Sequence, residues 1–159
     1  MSQVYLSLGS NIEREKNIRS CLRCLERKFG ELTVSPVYES EPVGFKGSNF
    51  FNLVVGITTT LTISELNDVL KEIEDQHGRS RAGPKFSSRT LDIDIITYNE
   101  LVGIHDGVEL PRPELFYNAF VLLPMIDLCA DQLEPKSGLP YRQLIDQLPT
   151  RQNLEKVPF

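Results

Sequence analysis

What this 159-residue chain has little of narrows the field first. It is short of positive charge: 17 Lys and Arg stand against 22 Asp and Glu, a formal net charge of −5. A protein that coats nucleic acid or an anionic membrane needs a basic surface to neutralise phosphates, so neither partner is expected, and any polyanion site must be a local basic patch. No apolar run comes near the roughly 20 residues that span a bilayer, and Met1–Ser10 lacks the charged-then-apolar order of a secretory signal. A soluble, cytoplasmic protein of one domain over residues 1–159 is therefore expected.

Only three cysteines occur, an odd number that suits a reducing compartment better than a disulfide framework. Cys21 and Cys24 form a CxxC, but it lies in an amphipathic stretch with no second Cys/His pair, which reads as core packing. The two histidines, His77 and His105, lack the Cys or acidic partner that a zinc site or triad would need, and both are expected at the surface.

What is there reads as alternating strands and helices. Val4–Leu8 has the character of a buried strand, ended by Gly9-Ser10-Asn11. Ile18, Cys21, Leu22, Leu25 and Phe29 recur at three- and four-residue spacing, which predicts a helix stopped by Gly30. Leu32–Glu39 and Phe51–Thr60 are rich in β-branched and aromatic residues and predict two strands joined by the loop chemistry of 41–47. Thr62 and Glu65 have capping-box spacing ahead of a second helix with Leu66, Val69, Leu70 and Ile73 on one face, ending near Gly78. Beyond it come a basic loop over Arg79–Ser88, a strand over Thr90–Tyr98, a helical Phe120–Leu128 despite Pro124, and a short helix over Tyr141–Leu148. The order suggests a ferredoxin-like α+β sandwich, with helices packed on one face of a mostly antiparallel sheet.

Arg89-Thr90-Leu91-Asp92-Ile93-Asp94-Ile95-Ile96 is the most informative stretch. Strand alternation sends Leu91, Ile93 and Ile95 to one face and Asp92 and Asp94 to the other, with the carboxylates about 7 Å apart along the strand. Strands disfavour Asp and like charges repel, so a compensating divalent cation is one reading. Solvation of an exposed sheet face is the other. Arg79, Arg81, Lys85 and Arg89 precede the pair in an otherwise acidic protein, and cations beside a metal site are what a triphosphate requires. Phosphoryl-type transfer is the reading the two features favour together. Phe50, Phe51 and Asn52 could stack on a flat heterocycle and bond its edge, or could form a core strand with one capping amide.

Tyr5–Asn11, Val37–Gly44, Asn49–Asn52, Gly78–Arg79 through Arg89–Asp94 and Phe120–Pro124 stand in the order and approximate spacing seen in hydroxymethyl-dihydropterin pyrophosphokinases. The chain resembles that family over nearly its whole length, most specifically in the GR…RTLDIDI pattern. The resemblance implies transfer of the β,γ-pyrophosphoryl group of ATP to the hydroxymethyl oxygen of a reduced pterin, a step toward folate, by a monomer. It implies that Asp92 and Asp94 hold two Mg²⁺ ions and that Arg79 and Arg89 hold the phosphates. Glu74, Arg81, Ile95 and Arg112 would lie on the ATP side, with the pterin between Phe50 and Phe120, read by Asn52 and by the chain near Ser40 and Val43. Residues 44–49 and 82–88 resemble the family's mobile loops.

The sequence departs from the family at Arg112, where a His is usual, and at Asn118, where an Arg is usual. Phe86 stands where Trp is common, and Lys71 stands where a nucleotide-side polar group is common. Arg112 keeps a cation but cannot exchange protons as His does. Two alternatives therefore stay beside an active transferase: a relative that binds pterin or nucleotide with lost or altered activity, and a polymerase-palm or nucleotide-cyclase enzyme, which also uses paired aspartates on such a scaffold.

Overall fold

The computed structural model describes residues 1–42, 44–78, 90–149, 152 and 154–159. The long central strands arise where apolar residues alternate. β1 (Ser2–Ser10) pairs antiparallel with β4 (Phe50–Thr59) from Ser2↔Thr59 to Ser10↔Phe51, and on its other side with β5 (Asp92–Tyr98). β3 (Val37–Ser40) and β8 (Glu155–Val157) extend the sheet in the order β5-β1-β4-β3-β8, while β2 (Thr33–Val34) also pairs with β4. β6 (Gly103–His105) and β7 (Val108–Leu110) form a separate hairpin.

On one face, Val4, Leu6, Leu8, Leu53, Val55, Ile57, Ile93 and Ile95 pack against α1 (Arg14–Phe29) and α2 (Ile63–Gln76). Cys21 and Cys24 lie in this core as free thiols, as the helical reading of the CxxC expects, and burial raises the Cys21 pKa. Gly30, at φ +80°, ends α1 with its N–H on Glu26 O at 2.9 Å. Thr62 and Glu65 form the expected capping box: Glu65 N–H donates to Thr62 Oγ1 at 3.2 Å, and Thr62 N–H donates to Glu65 Oε1 at 2.9 Å.

The mostly antiparallel sandwich is as expected, but the helices occupy both faces of the sheet. α3 (Ala119–Cys129) covers the opposite side, where Val54 and Ile96 meet Leu115, Val121, Leu122, Met125, Tyr141 and Leu144. The segment 141–147 is a 3-10 helix anchored by Tyr141 and Leu144. The strand expected over 32–39 is split, because Pro36 has no N–H for a ladder. Ser35 bridges the gap: its N–H donates to Val54 O and its Oγ accepts from Val54 N–H, both at 2.9 Å. The histidines are half-buried instead of surface residues. His77 bonds Ile73 O at 2.7 Å and Ser20 Oγ at 2.8 Å, joining α2 to α1, and His105 bonds Val102 O at 3.1 Å. Among the described residues no helix is long and apolar enough to cross a membrane.

Candidate active site

The period of two that fills the α1/α2 core turns every second residue of the same strands toward α3. At one end of that face the residues become small or polar. Asp92, Gly9 and Asn52 are register partners across β5, β1 and β4; Asp94, Ser7 and Val54 form the next row. Strands lie about 4.8 Å apart, so Asp92 and Asn52 stand about 9.5 Å from one another with Gly9 between them. A Cβ on Gly9 would come within 3.3 Å of Asn52 Oδ1 and 3.9 Å of Phe50 Cδ1. The missing side chain leaves a bare floor between an acidic wall and an amide wall.

On the amide side, buried Asn52 donates through Nδ2 to Ser40 Oγ at 2.7 Å, which fixes the orientation of its carboxamide. Phe50 is half-buried and meets Phe45 edge-on, with ring centroids 6.3 Å apart. Phe51 points to the other face, beneath the Arg14 guanidinium at 3.8 Å. Phe120 sits half-buried in the first turn of α3. Ser40, Phe50 and Asn52 are thus gathered on β3 and β4, while Val43 lies outside the described residues.

The acidic side holds more charge than the Asp pair alone. Arg112 places Nη2 3.3 Å from Asp94 Oδ2, and donates through Nε and Nη2 to Glu114 Oε1 at 2.8 and 2.5 Å. Asn118 Nδ2 donates to the other Glu114 oxygen at 2.8 Å. Burial, then the neighbouring Asp92, push the Asp94 pKa up to about 7, against the lowering pull of Arg112. Burial would lower the Arg112 pKa, but Asp94 and Glu114 outweigh it and the net shift is upward. Glu74 is buried on α2 and accepts the N–H of Ile93 at 2.7 Å, which places its carboxylate at the edge strand beneath the Asp pair. The side chain of Ile95 is in the core, leaving its backbone as the part a ligand could reach. Arg79, Arg81 and Arg89, with Lys85 and Phe86, lie outside the described residues.

The Gly-Ser-Asn turn has a structural task that its short motif did not disclose. Ser10 Oγ donates to Thr90 O at 2.6 Å, just before the Asp strand, and Asn11 Nδ2 donates to Ser48 O at 3.0 Å. Arg14 Nη1 adds a bond to Asn49 O at 3.0 Å and an ion pair to Glu39 at 2.7 Å. One turn therefore ties the approaches to both walls. Glu114 is the site residue that sequence reasoning missed, and it carried no spacing signal; Gly9-Ser10-Asn11 was read as the turn that ends the first strand, whereas β1 runs on through Ser10 and makes Gly9 part of the sheet floor.

The acidic wall suits Mg²⁺ by its donor chemistry. Two half-exposed carboxylates, one of them with its pKa raised by burial and its neighbour, offer the oxygen donors that a hard divalent cation prefers. Among the described residues no cluster of three or more His, Cys, Asp or Glu side chains forms a closed metal cage. A two-carboxylate site leaves coordination positions for phosphate oxygens.

Comparison with known proteins decides the family. The model described as 7,8-dihydro-6-hydroxymethylpterin-pyrophosphokinase (HPPK) matches residues 5–130. The chain belongs to that family. It is 34% identical over 146 residues to the 2-amino-4-hydroxy-6-hydroxymethyldihydropteridine pyrophosphokinase of Porphyromonas gingivalis, covering 88% of this chain and 99% of the relative. The enzyme of the same name from Pseudomonas aeruginosa is 33% identical over 162 residues, covering 99% and 98%. The folic acid synthesis protein FOL1 of Dictyostelium discoideum is 32% identical over 98% of this chain, which spans 24% of that protein. A crystal structure of Plasmodium falciparum HPPK-DHPS shares the fold at a TM-score of 0.72 and 15% identity, over 91% of this chain and 42% of that one. The family match leaves no role for the polymerase-palm or cyclase alternative.

Proposed function

We propose that this chain, acting as a single cytoplasmic domain and as a monomer, transfers pyrophosphate from ATP to 6-hydroxymethyl-7,8-dihydropterin in folate biosynthesis. The observation that carries the reading is the register row Asp92–Gly9–Asn52, a flat floor with a cation-seeking wall at one end and a fixed amide at the other. A bicyclic heterocycle about 7–8 Å long would span most of that row. Its edge would meet Asn52 and the chain near Ser40 and Val43, its faces Phe50 and Phe120, and its hydroxymethyl group would be directed toward Asp92 and Asp94.

Bound at those two carboxylates with the triphosphate, Mg²⁺ would supply charge neutralisation. The hydroxymethyl oxygen attacks the β-phosphorus; a new O–P bond forms, the bridge between the α- and β-phosphates breaks, AMP leaves, and the hydroxyl proton passes to solvent. Arg112, held by Glu114 beside Asp94, would donate to phosphate oxygens, with Arg79, Arg81 and Arg89 assigned to the same task; its closeness to the Asp pair supports the reading. An arginine does not exchange protons at neutral pH, so the chain's contribution rests on positioning and charge. Glu74 and the backbone of Ile95 complete the ATP side of the reading.

The test incubates purified protein with ATP, Mg²⁺ and the hydroxymethyl pterin and follows AMP and pterin pyrophosphate together by chromatography. Equal amounts of both establish the reaction and the adequacy of Arg112 and Asn118. Pterin binding with neither product would instead favour a pterin-binding relative without transferase activity.

A further inference from the structure

The first turn of α3 carries Phe120, yet it is not capped from within. Asn118 occupies the cap position with an extended backbone but makes no side-chain cap bond, because its amide is drawn to Glu114. A helix start leaves backbone N–H groups that need outside partners. The N–H of Ala119 finds one 33 residues further along the chain, donating to Gln152 Oε1 at 2.8 Å. The other end of the same carboxamide donates from Nε2 to Tyr117 O at 2.7 Å. One side chain thus grips the backbone on both sides of Asn118, immediately before Phe120.

Gln152 is itself anchored through the last residues of the chain. β8 pairs with β3 through Val37↔Val157, Tyr38↔Lys156 and Glu39↔Glu155. Tyr38 OH and Lys156 Nζ both bond the Asp127 carboxylate of α3. Phe159 then lies edge-on to Phe51 at 6.0 Å, with the Arg19 guanidinium 4.2 Å from its ring. The segment from Gln152 onward lies beyond residues 5–130, the stretch that the family model matches.

We infer that Gln152 is a positioning residue for the pterin side of the site, setting the place of Phe120 through the backbone of residues 117–119. The inference rests on the assignment of Phe120 to the pterin in the proposed function. Gln152 acts through the backbone just before Phe120, so its effect belongs to pterin affinity and not to the nucleotide.

The test measures dissociation constants for hydroxymethyl-dihydropterin and for a non-hydrolysable ATP analogue with Mg²⁺, in full-length wild type, Gln152→Ala, Gln152→Glu and Phe120→Ala. Gln152→Ala is expected to weaken pterin binding about five-fold, the size of one lost hydrogen bond, and to leave the analogue within about two-fold. Gln152→Glu keeps an acceptor for Ala119 N–H at a helix N-terminus and should recover most of the loss. Equal weakening of both ligands, or no rescue by Glu, would reduce Gln152 to a stability role and overturn the inference. Should the Ala variant fail to fold, Gln152→Met, which keeps the length of the side chain without either polar end, takes its place: weaker pterin binding with the analogue within about two-fold supports the clamp, and unchanged pterin affinity overturns it. Phe120→Ala separates the clamp from the site it serves. Unchanged pterin affinity there defeats the site assignment itself, whereas a loss there with none in Gln152→Ala defeats only the clamp.

Discussion

The two faces of the sheet are built from the same five or six strands and come out differently. Toward α1 and α2, consecutive inward positions on β1 are Val4, Leu6 and Leu8, all fully buried. Toward α3, the interleaved positions are Tyr5, Ser7 and Gly9, which pass from apolar packing to a bare floor within five residues. The first face gains burial along its full length; the second gives part of it up where Asp92, Asp94, Ser40 and Asn52 gather. Stability and function are divided here by the parity of residue number, so the division can be tested one side chain at a time.

The sharpest break should come at the acidic wall. Asp94→Ala is expected to lower transfer by at least about a thousand-fold while the thermal transition persists, because it removes a carboxylate proposed to hold Mg²⁺ from a half-exposed strand position. Steady-state kinetics beside a melting curve checks both halves, and undiminished turnover would sink the metal assignment. On the opposite face, Leu53→Ala, one residue from Asn52, should cost about 3 kcal/mol of stability by opening a cavity in the core. Its KM values should stay near wild type at temperatures where it is folded.

Next in size is Gly9→Ala. Its methyl group would crowd Asn52 Oδ1, and a loss of about ten-fold in pterin affinity with little change for ATP is expected by fluorescence titration. Equal weakening for both ligands would mean that Gly9 is not the floor of the pterin cleft.

The smallest effect is the most diagnostic of a site whose charges oppose folding. The Asp94 pKa is raised from 3.8 to about 7, so in the metal-free protein its ionised form is disfavoured on folding, at no cost below pH 4 and at full cost above pH 7. Its side chain retains 31% exposure, which screens the repulsion. Asp94→Asn should therefore stabilise the metal-free protein by about 1 kcal/mol at pH 8, with the gain gone at pH 4. Denaturant melts at the two pH values, with chelator present, would show it. A destabilised Asn variant at pH 8 would indicate that the Arg112 ion pair dominates instead.

Much of this was legible in the residues. Alternation in Leu91–Ile95 placed the carboxylates on one face, and Thr62 with Glu65 marked the start of α2, since both signals are local and periodic. The hairpin of β6 and β7 went unread although Asp106-Gly107 at its turn is a standard signal, because its strands are only three residues each. β8 carries Glu155 and Lys156 and has no strand signature; it exists because β3 presents an open edge. The direct ion pair of Arg112 with Asp94, steadied by Glu114, joins residues 18 positions apart, and tertiary pairs of that kind leave no trace in spacing. The contrast between the two faces was readable on the Leu91–Ile95 strand, but the partial cover of the polar face was not, for it depends on where α3 returns.

The alternation along β1 also constrains how such a protein can change over generations. Deleting or inserting one residue between Leu6 and Gly9 would rotate Leu8 into the cleft and Gly9 into the hydrophobic layer at once. Core and active site would be lost in a single event, so lineages can retune this strand by substitution but not by a change of length. Variation in length is left to the connections around it.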